Sequence, residues 1–154
     1  MSHAYGSPSL GVVSYYRMYL SGDGLTHIKK CNLAGLKKTT AFGTVQYVRD
    51  LGHGAQDIVI TQQTGENPWH QCPHSQFVVT LSGLWYINTT AGDYVVMNPG
   101  DLLFQDDYKG LLVNGTAPVH YSGALRGPCN QMVMSMPEHK AQIGMTDPCA
   151  VPHA

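Results

Sequence analysis

The chain has 154 residues and 16.8 kDa, the size of one domain whose core can fold without staples. Charged residues make up only 12% and balance to a net charge of −1 with no basic or acidic block, which excludes a nucleic-acid binder and a disordered chain. No apolar run approaches the ~20 residues of a membrane span. The opening MSHAYGSPSL lacks a leader pattern, so a cytoplasmic protein with no membrane partner is expected.

Along the chain, short β-branched and aromatic runs alternate with Gly, Pro, Asn and Asp. After a flexible arm at 1–10, the predicted strands are Val12–Met18, Leu25–Lys30, Thr44–Val48, Asp57–Gln62 and Gln76–Leu81. Trp85–Thr89, Tyr94–Met97, Leu102–Gln105, Pro118–Ser122 and Gln131–Met136 follow. Ser82-Gly83 reads as a hairpin turn, and Arg126-Gly127-Pro128 as another turn. Many short strands at even spacing predict an all-β sandwich or barrel over 11–137. One short helix is expected at Glu138–Gly144, and the tail Asp147–Ala154 reads as loose or as an arm on a neighbour.

Alternation along Gln76–Leu81 puts Gln76, Val78 and Thr80 on one face, and their polarity suggests that this face lines a cavity. Cys31, Cys72, Cys129 and Cys149 form no Cys-x-x-Cys pair and read as free thiols. Eight histidines are the composition's unusual number, and they direct attention to His70, His74 and His120.

The run Gly65 to Gln76, then Gly83, then Pro99-Gly100-Asp101, resembles the two signature motifs of the cupin superfamily. The first motif reads Gly, His-x-His, Glu, Gly. Here His70 takes the first His slot, Cys72 the second and Gln76 the Glu slot, while Leu103 stands near the second motif's usual His. A subgroup of small cupins is more similar, matching Trp69-His70, Gln76, Leu81-Ser82-Gly83, Pro99 to Leu103, Asp106 and a later His120. Arg17-Met18-Tyr19 and Asp23 to His27 resemble that subgroup's first strands, so the likeness runs from Arg17 to Pro137.

The resemblance implies a double-stranded β-helix (jelly-roll) barrel, a single domain with a metal or ligand site inside. It also implies a homodimer, with Val12–Leu20 as the docked strand. It does not choose a reaction, because one fold hosts many.

Four side chains are the catalytic candidates: His70, His120, Gln76 and Asp106. The histidines would carry protons, Gln76 would donate a hydrogen bond to a carbonyl or enolate oxygen, and Asp106 would act as a base or orient His120. Two adjacent Asp on a strand cannot both face the lumen, so Asp106-Asp107 contributes one at most; the bland alternative is a solvated pair. The expected pocket wall is Trp69, His74, Val78, Thr80, Tyr86 and Phe104. A divalent transition metal (Fe, Mn, Ni or Zn) would be held by His70, His74 and His120 with Gln76; a metal-free pocket is the equal alternative.

The expectation is therefore an isomerase, cyclase or lyase using acid–base chemistry on a small, mostly apolar organic molecule. The alternatives are a metal-dependent oxygenase or lyase, and a non-catalytic small-ligand binder.

Overall fold

A computed structural model describes residues 8–51 and 57–150, and all regular structure there is β-strand. The strands are β1 (Ser14–Leu20), β2 (Thr26–Asn32), β3 (Lys37–Ala41), β4 (Thr44–Val48), β5 (Asp57–Gln63), β6 (Glu66–His70), β7 (Gln76–Thr89), β8 (Tyr94–Met97), β9 (Leu102–Gln105) and β10 (His120–Ser135). Eight of them form one sheet in the order β2-β1-β9-β7-β10-β5, with β6 on β10 and β8 on β7. β3 and β4 make a separate two-stranded sheet. Every pairing is antiparallel except β1 with β9. Among the described residues β2 and β5 stand at opposite ends of the sheet, so it is not a closed barrel.

Two expected turns are absent because two long strands bend together. Leu125 pairs with Leu84, and the next partners are Asn130 and Ser82, so the residues between form a bulge in β10 opposite Gly83. Gly83 has φ 80°, and a Cβ there would lie 2.5 Å from the Pro128 carbonyl oxygen. Only glycine fits that corner. Arg126 and Gly127 take positive φ inside the bulge (58° and 121°) and carry β10 around the same bend. Ser82-Gly83 and Arg126-Gly127-Pro128 are therefore bends within continuous strands, not ends of hairpins.

Around β1, β7 and β9 the sheet is buried on both faces, so two apolar clusters form. On one face Met18, Ile28, Val78, Trp85, Ile87, Met97, Leu103 and Cys129 pack together. On the other are Tyr15, Cys31, Phe77 and Phe104, with the Phe77 and Phe104 ring centroids 4.7 Å apart. The second cluster is covered by the chain beyond β10. This segment holds no helix at 138–144; it is an irregular strap.

Leu20 bridges Ile143, the Gln142 N–H donates to Asp106, and Tyr15 Oη donates to the Cys149 carbonyl. A Cys31–Cys149 disulfide pins the strap across 118 residues. The four-free-thiol expectation is thus corrected: only Cys72 and Cys129 are free, both buried. The strap also corrects the loose tail, as far as residue 150. Residues 151–154 and 1–7 of the expected arms lie outside the described residues.

Val12–Leu20, expected to dock on a second copy, is occupied within its own chain. Its strand β1 is paired on both sides, with β2 and with β9. No described helix is long and apolar enough to cross a membrane.

Candidate functional site

His70 ends β6, and its cross-strand partner on β10 is His120. Alternation sends Trp69 outward and His70 inward, so the two imidazoles meet with centroids 4.3 Å apart. His120 is buried, and its Nδ1 is 2.5 Å from Asp107 Oδ2. The Cys72 thiol donates to the other Asp107 oxygen at 3.4 Å. Burial, then the charge of Asp107, pushes the Cys72 thiol far up, so it stays a donor. A carboxylate accepting from Cys72 on one oxygen and from His120 Nδ1–H on the other leaves His120 Nε2 as the ring's lone-pair nitrogen. His70 Nδ1 likewise donates to the Pro68 carbonyl at 2.8 Å. Burial, then the neighbouring His120, lowers the pKa of His70, which favours its neutral form. Both rings are thereby oriented with Nε2 left as the remaining nitrogen.

The adjacent Asp106 is not part of this arrangement, which corrects its assignment as a catalytic residue. Strand alternation sends Leu103 into the first cluster and Phe104 into the second. Carried past the end of β9, it turns Asp107 to His120 and Asp106 to Arg17. Both carboxylates are fully buried, so the solvated-pair alternative is also wrong. Asp106 takes a two-pronged ion pair from Arg17, Nη1 to Oδ1 at 3.1 Å and Nη2 to Oδ2 at 2.8 Å. The Arg17 guanidinium lies 4.7 Å over the Phe104 ring. Burial alone would raise the Asp106 carboxyl, but His139, Arg17 and the Gln142 N–H outweigh it and hold it below its ordinary value. His139 Nε2 is 3.8 Å away, beyond hydrogen-bond reach, so we ascribe that lowering chiefly to Arg17 and Gln142.

A cavity of about 550 Å³ opens between β5, β6 and the end of β10. Its walls mix polar side chains, Gln63, Gln76, Gln131, Thr61, Ser135 and Asn67 among them, with the charged Glu66 and the apolar Val59, Pro73 and Val133. A carboxamide chain crosses it. Thr61 Oγ1 donates to Gln131 Oε1, Gln131 Nε2 to Gln63 Oε1, and Gln63 Nε2 to Ser122 Oγ, each at 3.3 Å. Ser122 is two residues from His120 and shares its face of β10. The polar lane therefore runs from the cavity toward the paired histidines.

Of the expected pocket wall, none of Trp69, His74, Val78, Thr80, Tyr86 and Phe104 lines this cavity. Val78 and Phe104 belong to the two apolar clusters, and Thr80 accepts the Trp85 indole N–H at 2.7 Å inside the core. Trp69 and Tyr86 stand on the outer face, each beside Tyr121. His74 lines a separate 330 Å³ cavity with Tyr108 and His139, because Pro73 breaks the strand alternation that would have turned it inward. The His70/His74/His120 ligand set with Gln76 is therefore not assembled. Among the described residues no three His, Cys, Asp or Glu side chains are grouped to hold a metal ion, and Asp107 is already spent on His120 and Cys72. A first-row catalytic metal needs about three such ligands, so the donor set does not fit one.

Sequence reasoning missed Gln63, Gln131 and Ser122. Only the alternation of β5 and β10, read with a known pairing, would have placed them together.

No family profile and no curated protein matches the chain. Among solved structures, protein NMB1881 from Neisseria meningitidis is similar at 10% identity over 67% of this chain and 83% of that one, with a TM-score of 0.38. A protein of unknown function (DUF1255) from Acidithiobacillus ferrooxidans NCIB8455 is similar at 15% identity over 88% of this chain and 99% of that one, with a TM-score of 0.37. Likenesses this remote carry no argument about activity.

Proposed function

We propose that the chain is a small-molecule enzyme of the isomerase, cyclase or lyase type, built on an open, cupin-like jelly roll. It moves protons with His120 and His70. The observation that supports this reading best is the Asp107–His120 hydrogen bond beside His70, two residues along β10 from the Ser122 that accepts from the cavity-lining Gln63. Asp107 holds the tautomer that leaves Nε2 free, which is how a carboxylate prepares a histidine as general base. His70, its Nδ1–H held by Pro68, offers a second acceptor at Nε2, and the proton that His120 takes from substrate is returned from the His120 imidazolium.

Gln76 would hydrogen-bond a carbonyl or enolate oxygen from the cavity wall. The amide-lined cavity favours a neutral, hydrogen-bonding substrate over the mostly apolar one expected from sequence. Each carboxamide of that hydrogen-bonded chain keeps a second N–H and a second lone pair beyond its internal bonds, which a hydrogen-bonding substrate can engage.

The test is an NMR screen of neutral hydroxycarbonyl compounds and lactones for isomerisation or solvent-deuterium uptake. Turnover of at least one compound is expected, falling about 10²–10⁴-fold in His120→Gln and in Asp107→Asn with the fold retained. Turnover that survives both substitutions refutes the assignment. A ligand that binds the cavity tightly with no exchange favours the non-catalytic binder.

A further inference from the structure

The least finished side of the molecule is the β5 end of the sheet. Among the described residues β5 is paired on one side only, with β10. Its Ile58, Val59 and Ile60 are 62%, 46% and 62% exposed. Three consecutive strand residues point to both faces, so neither face of this edge is covered. An open apolar edge is a template for another strand.

The second unfinished element is the β3–β4 hairpin. It is exposed at nearly every position and pairs with no strand of the main sheet. Phe42, Val45, Tyr47 and Val48 stand exposed on it, although Tyr47 also packs beside Gly11. A two-stranded hairpin is marginal in water without something to pack on. The two elements also carry opposite charge. The hairpin, residues 37–48, holds Lys37 and Lys38 with no Asp or Glu, whereas β5 holds Asp57 with no Lys or Arg.

We propose that the β5 edge receives the β3–β4 hairpin of a second copy, and that this two-fold exchange walls the open side of the 550 Å³ cavity. Strand pairing supplies the backbone bonds that β5 lacks. On one face Val45 of one copy covers Ile58 and Ile60 of the other, and on the opposite face Val48 meets Val59 and Lys37 meets Asp57. Because the same two copies exchange hairpins reciprocally about a two-fold axis, the assembly closes at two. Val59, Thr61 and Gln63 of β5 line the cavity, so a hairpin added at this edge extends the wall on its open side. The value of that closure rests on the function proposed above; the interface itself does not.

Light scattering after size exclusion should give about 34 kDa, twice the 16.8 kDa chain. Ile60→Lys and Val45→Glu change exposed side chains, so each should give about 17 kDa with an unchanged far-UV spectrum. Asp57→Lys should also weaken the dimer, and mixing it with the Lys37→Glu/Lys38→Glu chain should restore it. Hydrogen exchange at β5 should be slow in the unaltered chain and fast in Ile60→Lys. A 17 kDa mass for the unaltered chain overturns the proposal, as does a dimer that persists in both Ile60→Lys and Val45→Glu. A dimer that forms as described yet turns nothing over refutes the acid–base reading and leaves this interface standing.

Discussion

Replacing Asp106 by Asn separates the structural role found here from the catalytic one expected of it. Asn keeps the shape and an oxygen for the Gln142 N–H but removes the charge opposite Arg17. The guanidinium is fully buried, and its Nε already lacks a hydrogen-bond partner. Breaking such a pair by removing one partner typically costs about 3–5 kcal/mol, because the remaining charge has no solvent to return to. For a domain of this size each kcal/mol lowers Tm by roughly 2–4 °C, so Asp106→Asn should melt about 6–20 °C lower. Arg17→Met/Asp106→Leu, which removes both charges and refills the volume, should recover most of that loss.

Calorimetry and urea unfolding measure the stability, and turnover per folded molecule is read alongside. If Asp106→Asn melts within a degree or two of the unaltered protein while turnover collapses, the structural reasoning is wrong and the catalytic expectation was right.

Reduction supplies another measurement: in the loop-entropy account, the 118-residue closure of Cys31–Cys149 is worth up to about 5 kcal/mol. Cys149→Ser or a reductant should lower Tm markedly, and alkylation in denaturant without reductant should label two thiols, since Cys72 and Cys129 are buried in the folded chain; labelling of all four refutes the crosslink. Gly83→Ala combines a left-handed φ with a carbonyl 2.5 Å from the new Cβ, whereas Gly92→Ala meets only the φ cost, with nothing within 4 Å. Urea midpoints should therefore show Gly83→Ala as the more damaging by roughly 1–3 kcal/mol, and equal losses would disprove the packed corner.

His70 and Asp106 both have lowered folded-state pKa values, so both make the protein acid-sensitive. The His70 contribution is complete above its unfolded value of ~6.5, and that of Asp106 above ~3.9; each is lost as pH falls through its own depressed folded value. Two-stage loss of stability on acidification is expected, and His70→Gln should erase the upper stage; an unchanged profile in that variant refutes the assignment. His70→Ala should in addition lose about 10²–10⁴-fold in turnover at near-native stability. Near-full turnover would move the site elsewhere.

The all-β character, and strands such as Thr44–Val48 and Leu102–Gln105, were legible in the sequence because β-branched runs between turn residues are local signals. Motif spacing drew attention to His70 and His120, whose rings do meet, and Gln76 lines the cavity, whereas Val78 and Thr80, read on the same lining face, lie in the core. That one Asp of the adjacent pair faces inward also followed from alternation, but which one did not. The choice depends on where β9 ends relative to Arg17 and His120, residues 89 and 14 positions from Asp106. Phe104 and Val78 read as a pocket wall because an apolar residue on a strand looks the same whether it faces a cavity or a second packed layer. For Phe104 that second layer is the strap at 136–150, whose short polar-apolar mixture gave no sign that a disulfide to β2 and a hydrogen bond to the buried Asp106 would hold it in place. Composition and alternation are properties of neighbouring residues; the site was decided by pairings between strands and by what the far end of the chain covers.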